Sequence, residues 1–244
     1  VIYAGGDDVL AMLPVADLLP AMQRLRNAYS GNDPEHEGGV FGGLTLQKGF
    51  AALKTRRGGK EHLHVMRMMG ENATASCGAV IAHHQAPLGA VLRELREAEK
   101  RAKVYRRPGS DGKTIDRDAF HITIIKRSGG SLNLSAEWGE PLALLCELRD
   151  FLADDATSRR AVYNSLEWLT DLPDPKGKPE ILESLLAYQL ARQSTGQTKA
   201  QAPKLAERLA QLAAAQAKDG LKWLENFLTV AEFLARETRI GGEA

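Results

Sequence analysis

Residues 3–10 read Tyr-Ala-Gly-Gly-Asp-Asp-Val-Leu, and this stretch decides the fold class of the chain. The segments on either side of its centre, Val1–Ala4 and Val9–Leu13, predict two short strands around a tight turn. Glycine supplies the positive φ angles that such a turn can require. The sequence therefore predicts a β-hairpin that carries Asp7 and Asp8 at its tip.

The adjacent carboxylates of Asp7 and Asp8 point to a metal site. Two carboxylates this close repel each other unless a cation lies between them. Mg²⁺ prefers carboxylate and phosphate oxygens, and paired metals stabilise both the attacking and the leaving oxygen of a nucleotidyl transfer. Because Gly5 and Gly6 carry no side chain, a triphosphate can approach the backbone there. The alternative is an ordinary Gly-Gly turn followed by two solvated acids, since these residues are common in turns.

Residues 1–135 continue with alternating helix and strand patterns. The predicted elements are a helix that begins at Pro14, strands over 62–69 and 74–83, a helix from Pro87 to about Arg106, and a strand over 120–125. Residues 56–60 predict an exposed loop or turn. This order is typical of an α+β fold, a ferredoxin-like palm in which helices cover one face of an antiparallel sheet.

Residues 136–244 show helix patterns only. Their apolar stripes, interrupted by turn residues near positions 173–177, 194–196 and 219–220, predict about five helices with short connections. Such a series packs as a helical bundle. We see no catalytic constellation in this half, and we interpret it as a packing or partner-binding domain. The predicted domains are therefore a palm over 1–135 and a helical bundle over 136–244.

Composition excludes several classes of protein. The 244 residues are 43% hydrophobic and 26% charged with a formal net charge of +1, so the chain is not a general polyanion binder. Cys77 and Cys146 are its only cysteines and stand far apart, which favours a reducing cytoplasm over a disulfide framework. No apolar run reaches the roughly 20 residues that a membrane span needs.

Other candidate residues are scattered along the first half of the chain. Lys103, near the end of a predicted helix, is a good point-charge partner for a phosphate, although such charges usually lie on a solvated helix face. Gly78, inside a predicted strand next to Ser76, suggests a close backbone approach or a bulge. Three basic pairs are candidate contacts to RNA or a triphosphate, although such pairs are more often plain surface: Arg56-Arg57, Arg106-Arg107 and Lys126-Arg127.

The chain starts at Val1 within a strand-like stretch. Because a domain does not normally begin in the middle of a hairpin, we expect that an N-terminal portion precedes this sequence.

Four segments together resemble a known family. They are residues 3–14, Ser76–Leu88, Ala98–Lys103 and Arg117–Gly129, in that order. The chain resembles the second palm domain of the large subunit of type III CRISPR effector complexes, in particular those of the Cmr type (III-B). The helical half resembles the C-terminal domain of that family in character only.

The resemblance implies an activity and assigns residues to it. Binding of target RNA to the guide-loaded complex would switch on the joining of ATP into cyclic oligoadenylates with release of pyrophosphate. Asp7 and Asp8 would bind the divalent metals, Mg²⁺ or Mn²⁺, while Gly5 and Gly6 would make room for the triphosphate. Lys103 would contact phosphate, and Ser76 would be a further nucleotide contact.

The resemblance also implies partners. These are a guide CRISPR RNA, a target RNA, the other effector subunits, and a first palm domain in the expected N-terminal portion. We therefore expect the present fragment to be inactive by itself.

Two other functions stay open. A diguanylate cyclase also uses a Gly-Gly-Asp hairpin, but it expects an acidic residue and Phe where this chain has Asp8 and Val9. A non-catalytic palm would keep the fold and bind RNA or neighbouring subunits without making a product. ATP binding that depends on Asp7 and Asp8 would separate the catalytic palm from this scaffold.

Overall fold

The structure is a computed structural model that describes residues 1–5, 8–33, 44–70, 72–108 and 114–240. The chain divides into two compact units. The smaller unit comprises Asp17–Ser76, and the larger one comprises Val1–Ala16 together with Cys77–Ala244.

The predicted hairpin opens the larger unit. Strands β1 (Tyr3–Gly5) and β2 (Asp8–Leu10) are antiparallel, with Tyr3 opposite Leu10 and Gly5 opposite Asp8. The amide of Ile2 extends the ladder by donating to the Leu10 carbonyl over 2.8 Å. These strands confirm the predicted hairpin, while Gly6 and Asp7 lie outside the described residues.

The smaller unit combines one helix with a three-stranded antiparallel sheet. Helix α1 (Leu18–Ser30) begins four residues after Pro14 and ends at Gly31, which adopts a left-handed φ of 67°. Strands β3 (Leu44–Gln47), β4 (Phe50–Arg57) and β5 (Lys60–Arg67) follow in that spatial order. The predicted exposed turn is the tip of the β4–β5 hairpin, where Gly58 and Gly59 have φ angles of 58° and 79°. Strands β3 and β4 were not predicted.

The palm strands of the larger unit form a second three-stranded sheet. Strand β6 (Cys77–Ile81) leads into helix α2 (Leu88–Val104), as predicted. A short ribbon of β7 (Arg106–Pro108) and β8 (Thr114–Asp116) follows, and then come β9 (Ala119–Ile125) and β10 (Ser131–Glu137). The spatial order is β10-β9-β6. Strand β10 was not predicted, and it pairs with β9 in the antiparallel sense expected of the sheet. Strands β6 and β9 instead run parallel, because α2 crosses over between them.

Five helices occupy the described residues 140–240, as predicted. They are α3 (Glu140–Ala153), α4 (Arg160–Leu169), α5 (Pro179–Arg192), α6 (Gly196–Ala214) and α7 (Gly220–Ile240). Helices α5 and α6 pack against each other, and α7 packs against α3, α4 and α6. Among the described helices, none combines the length and the apolar character that a membrane span requires.

The two faces of the β10-β9-β6 sheet are covered by different elements. Helix α2 lies on the face that carries His121 and Thr123, and its Ala98 and Ala102 are fully buried. Side chains alternate along a strand, so Phe120, Ile122 and Ile124 point to the opposite face, where they too are fully buried. Helices α3 and α7 pack on β10.

The palm strands and the helical bundle therefore share one core. The indole Nε1 of Trp223 in α7 donates to the carbonyl of Ser135 in β10 over 2.9 Å. The ring of Phe120 in β9 lies 5.4 Å from that of Trp138, which follows β10. The division into domains 1–135 and 136–244 stays a prediction, and its boundary falls within β10.

Candidate functional site

The β1–β2 hairpin presents Asp8 to solvent. The strand register places Asp8 opposite Gly5 at the tip end of the hairpin, and the Asp8 side chain is exposed. Within the described parts of the chain, no lysine or arginine pairs with its carboxylate. An exposed carboxylate of this kind is a suitable ligand for Mg²⁺ or Mn²⁺. Asp7, its predicted partner, and Gly6 lie outside the described residues.

Gly5 has a neighbour that the sequence did not indicate. A Cβ atom on Gly5 would lie 2.5 Å from the Tyr3 hydroxyl oxygen and 2.8 Å from the Tyr3 Cζ. The space beside Gly5 is thus filled by the end of the Tyr3 side chain, which is itself 55% exposed. A ligand that approaches the backbone at Gly5 would first displace this ring.

Lys103 lies in the last turn of α2 and already has a partner. Its Nζ is 2.6 Å from Oε1 of Glu99, one helical turn earlier, and both side chains are about 40% exposed. Exposed pairs at this spacing stabilise a protein by only about 0.3–0.5 kcal/mol. A phosphate group can therefore replace Glu99 at little cost, and no described ion pair or hydrogen bond joins Lys103 to Asp8.

Ser76 and Gly78 flank the start of β6. Ser76 is half-buried and is the last residue of the smaller unit, whereas Gly5, Asp8 and Lys103 belong to the larger one. Gly78 confirms the predicted close backbone approach, because a Cβ there would overlap the α2 backbone at Ala98 and Glu99. The group that approaches Gly78 is the protein's own helix.

Cys77, between these two residues, is not a nucleophile at neutral pH. Burial, together with the nearby Glu99 carboxylate, raises the pKa of its thiol to about 11. The thiolate form that reacts with electrophiles is therefore scarce at pH 7.

A buried polar network fills the space between α2 and the sheet. His121 Nδ1 lies 2.6 Å from Ser135 Oγ, and its Nε2 lies 3.2 Å from both Thr123 Oγ1 and Asn133 Oδ1. On the α2 side of this network, the Arg101 guanidinium donates to Thr123 Oγ1 and Asn133 Oδ1. Burial lowers the pKa of His121 to about 4, so the imidazole is neutral at pH 7. The sequence indicated only that His121 alternates with apolar residues.

A small basic pocket lies at the carboxyl ends of β6 and β9. This pocket of about 230 Å³ is lined by His83, Gln85, Ala86, Ile125, Lys126 and Arg127. The backbone N–H of Gln85 donates to His83 Nδ1 over 3.3 Å. The His83 ring contacts the His84 ring at a tilt of 38°. Partial desolvation, His84 and Arg127 all lower the pKa of His83. The predicted basic pair Lys126-Arg127 therefore belongs to a cationic cluster that suits an anion.

A larger cavity lies in the helical half, where the sequence predicts no site. We call it the arginine cavity; its volume is about 440 Å³, and its lining residues are Thr157, Ser158, Arg159, Arg160, Tyr163, Glu232 and Arg236. It joins the start of α4 to the second half of α7. No local pattern in the sequence indicates it, because its lining residues come from two distant stretches; Arg159 and Glu232, for example, are 73 positions apart.

The chain is similar to known proteins over its first part. Residues 1–110 match the family model described as Cas10/Cmr2, second palm domain. Over 94 residues, the chain is 34% identical to the CRISPR system CMR subunit Cmr2 of Saccharolobus solfataricus. That alignment covers 38% of this chain and 8% of the relative, so the chain spans a small part of the relative's length. These matches confirm the predicted resemblance to a Cmr-type large subunit with a palm domain.

Proposed function

We propose that this chain, whose residues 1–110 match the family model described as Cas10/Cmr2, second palm domain, is the catalytic palm of a type III CRISPR effector complex. It would convert ATP into cyclic oligoadenylates when target RNA is bound. The observation that carries this proposal is the exposed carboxylate of Asp8 at the tip end of the β1–β2 hairpin, which forms no ion pair with any residue that the structure describes. Asp7 stands beside it in the sequence, so the two can act as a carboxylate pair.

The chemistry is a nucleotidyl transfer between two ATP molecules. The 3′-hydroxyl oxygen of one ATP attacks the α-phosphorus of the next, a phosphodiester bond forms, and pyrophosphate leaves. Asp7 and Asp8 would hold Mg²⁺ or Mn²⁺, which neutralises charge on the triphosphate. Catalysis of this kind depends mainly on positioning and on electrostatic stabilisation.

The chain's own residues contribute the remaining functions. Gly5 and Gly6 admit the triphosphate to the hairpin once the Tyr3 side chain has moved aside. Lys103 exchanges its Glu99 partner for a phosphate oxygen, and the weakness of an exposed ion pair supports this exchange. Ser76 contributes a hydroxyl group to nucleotide binding.

The proposed partners follow from the proposed role. They are a guide CRISPR RNA, a target RNA, the other subunits of the effector complex and a first palm domain elsewhere in the subunit. We place this assembly in the cytoplasm, where reduced Cys77 and Cys146 are stable.

A scaffold palm without catalysis is the second candidate. One support is the ion pair between Glu99 and Lys103, the residue proposed to bind phosphate. The other is that α2 covers one face of the sheet and the helical bundle covers the opposite face. In that case the hairpin carboxylates would be solvated surface residues.

An ATP-conversion assay on the full-length subunit, assembled with its guide RNA and partner subunits, distinguishes the two candidate functions. Labelled ATP and Mg²⁺ are supplied with and without complementary target RNA, and the products are resolved by size and linkage. We expect target-dependent cyclic oligoadenylates that disappear in the Asp7→Ala/Asp8→Ala variant. Asp17 is also an exposed aspartate, so Asp17→Ala is the control and should leave the yield of cyclic oligoadenylates unchanged. If an intact, target-bound complex makes no product, the scaffold function is the one that remains.

A further inference from the structure

The arginine cavity carries an excess of positive charge. Glu232 is its only acidic lining residue, and Glu232 is buried and paired with Arg159 over 3.5 Å. Arg160 is exposed, and its guanidinium has no ion pair within the described ranges. Arg236 pairs through its Nε with the partly exposed Glu237, and its guanidinium stacks on the Phe233 ring at 4.9 Å. Two arginines are therefore available to an anion that enters the cavity.

The backbone at the start of α4 is already satisfied. The amide of Arg160 donates to Ser158 Oγ over 3.4 Å, and the next two amides donate to the carbonyls of Ser158 and Arg159. An anion must therefore be held by side chains. Thr157, which lines the cavity, is 4% exposed, and its hydroxyl has no hydrogen-bond partner in the described structure. This buried hydroxyl adds a polar group to the wall of the cavity.

An aromatic ring stands beside the arginines. Tyr163 follows Arg159 by four residues and Arg160 by three, so all three side chains share one face of α4. Tyr163 is 53% exposed, so its side chain is accessible from the cavity that it lines. Exposed aromatic rings next to cationic groups bind single-stranded nucleic acids, because bases stack on the ring while phosphates meet the cations.

We propose that the arginine cavity binds the phosphate backbone of a single RNA strand, with one base stacked on Tyr163. Arginine presents a planar fork that matches phosphate oxygens in pairs, which a lysine cannot do. An acidic peptide would meet the same charges, but its carboxylates would gain nothing from the Tyr163 ring. RNA as the ligand rests on the proposed role in an RNA-guided complex, whereas the site uses none of the hairpin residues.

Fluorescence anisotropy of the full-length protein without guide RNA or ATP tests this site. The probe is a labelled single-stranded oligouridylate, titrated at several salt concentrations. We expect Arg160→Gln and Arg236→Gln each to reduce the slope of log affinity against log salt by roughly 0.7. Tyr163→Leu should weaken binding by about fivefold or more with an unchanged slope. Arg160→Lys should keep the slope and lose affinity, because it keeps the charge and loses the fork.

The control is Lys222→Gln, which removes one positive charge from the same helix α7 as Arg236. Lys222 is 57% exposed and lies roughly 21 Å from Arg236 along the helix axis, so affinity and slope should stay at the parent values. Equal affinities and slopes in parent, Arg160→Gln and Arg236→Gln would overturn the proposal.

A labelled oligo-glutamate peptide is titrated in parallel. Arginine-dependent binding of this peptide, with no binding of RNA, would overturn RNA as the ligand. Because no ATP is present, a failed cyclase assay leaves this result unaffected.

Discussion

Gly78 in β6 lies directly against the backbone of Glu99 in α2, with no room for a side chain between them. A Cβ atom on Gly78 would come within 2.7 Å of the Glu99 Cα and 2.8 Å of the Ala98 carbonyl carbon. These atoms belong to the helix backbone and cannot swing aside. The contact therefore fixes how closely α2 approaches the sheet, and with it the position of Lys103 one turn further along.

Replacing Gly78 tests this contact. Gly78→Ala should lower the free energy of unfolding by about 1–3 kcal/mol, because the added methyl group forces α2 away from β6. Gly89→Ala is the matched control, since the nearest atom to its new Cβ is the flexible Arg93 Nη1 at 3.8 Å. We expect the control to be neutral or stabilising by up to about 1 kcal/mol, as usual for alanine in a helix. Urea denaturation of both variants measures the difference; equal stabilities would contradict the assigned contact.

The neutral His121 predicts a pH-dependent stability. Its pKa is about 4 in the folded protein, below the ordinary value of 6.5, so the unfolded chain binds more protons between these values. The free energy of unfolding should therefore fall as the pH drops from about 6.5 to about 4, by at most about 1.4 kcal/mol per pH unit from this group. His121→Gln should show a shallower loss in the same window. An identical pH profile in the variant would show that His121 is not responsible.

Lys103 and Glu99 should have opposite effects on nucleotide use. Lys103→Ala should raise KM for ATP in the assembled complex, because a phosphate contact is lost. Glu99→Gln should lower KM by about two- to threefold, since the ammonium group no longer has to leave an ion pair worth about 0.5 kcal/mol. Steady-state kinetics with target RNA measure both values. An unchanged KM in Lys103→Ala would remove Lys103 from the site.

The shared core predicts that the palm needs the bundle. A fragment that ends at residue 135 would expose Phe120, Ile122 and Ile124, each of which stabilises the fold by about 1.5–3 kcal/mol through burial. We expect this fragment to aggregate or to bind a hydrophobic dye, whereas residues 77–240 should remain a folded monomer. Size-exclusion chromatography and circular dichroism compare the two. Cooperative unfolding of the shorter fragment would show that residues 1–135 fold independently.

Local patterns predicted much of this fold. The hairpin around Gly5 and Asp8 follows from a turn flanked by apolar residues, and the five helices of the second half follow from stripes at helical spacing. Strand β4 does not follow from the sequence, because its residues, Phe-Ala-Ala-Leu-Lys-Thr-Arg-Arg, show no alternation of apolar and polar positions. Strand β10 does alternate, with Leu134 on one face and Asn133 on the other, so its sequence does carry a strand pattern.

The sites were less predictable than the fold. Tyr3 covers Gly5 through a strand geometry that the letters alone do not fix, and Lys103 has a neighbour in Glu99 that helical spacing does indicate. The arginine cavity could not be predicted, because Arg160 and Arg236 meet only after α4 and α7 have packed together. Residues from distant helices form a site through tertiary packing, which leaves no periodic trace in the sequence.

The two faces of β9 make its length intolerant of change. His121 and Thr123 belong to the polar network under α2, and Phe120, Ile122 and Ile124 belong to the core shared with the bundle. Inserting one residue at the start of β9 would reverse both sets, since side chains alternate along a strand. The imidazole would then enter an apolar core, and two isoleucines would face Arg101. Neighbouring side chains can accommodate a substitution on either face, but they cannot compensate for a one-residue shift in the register of the strand.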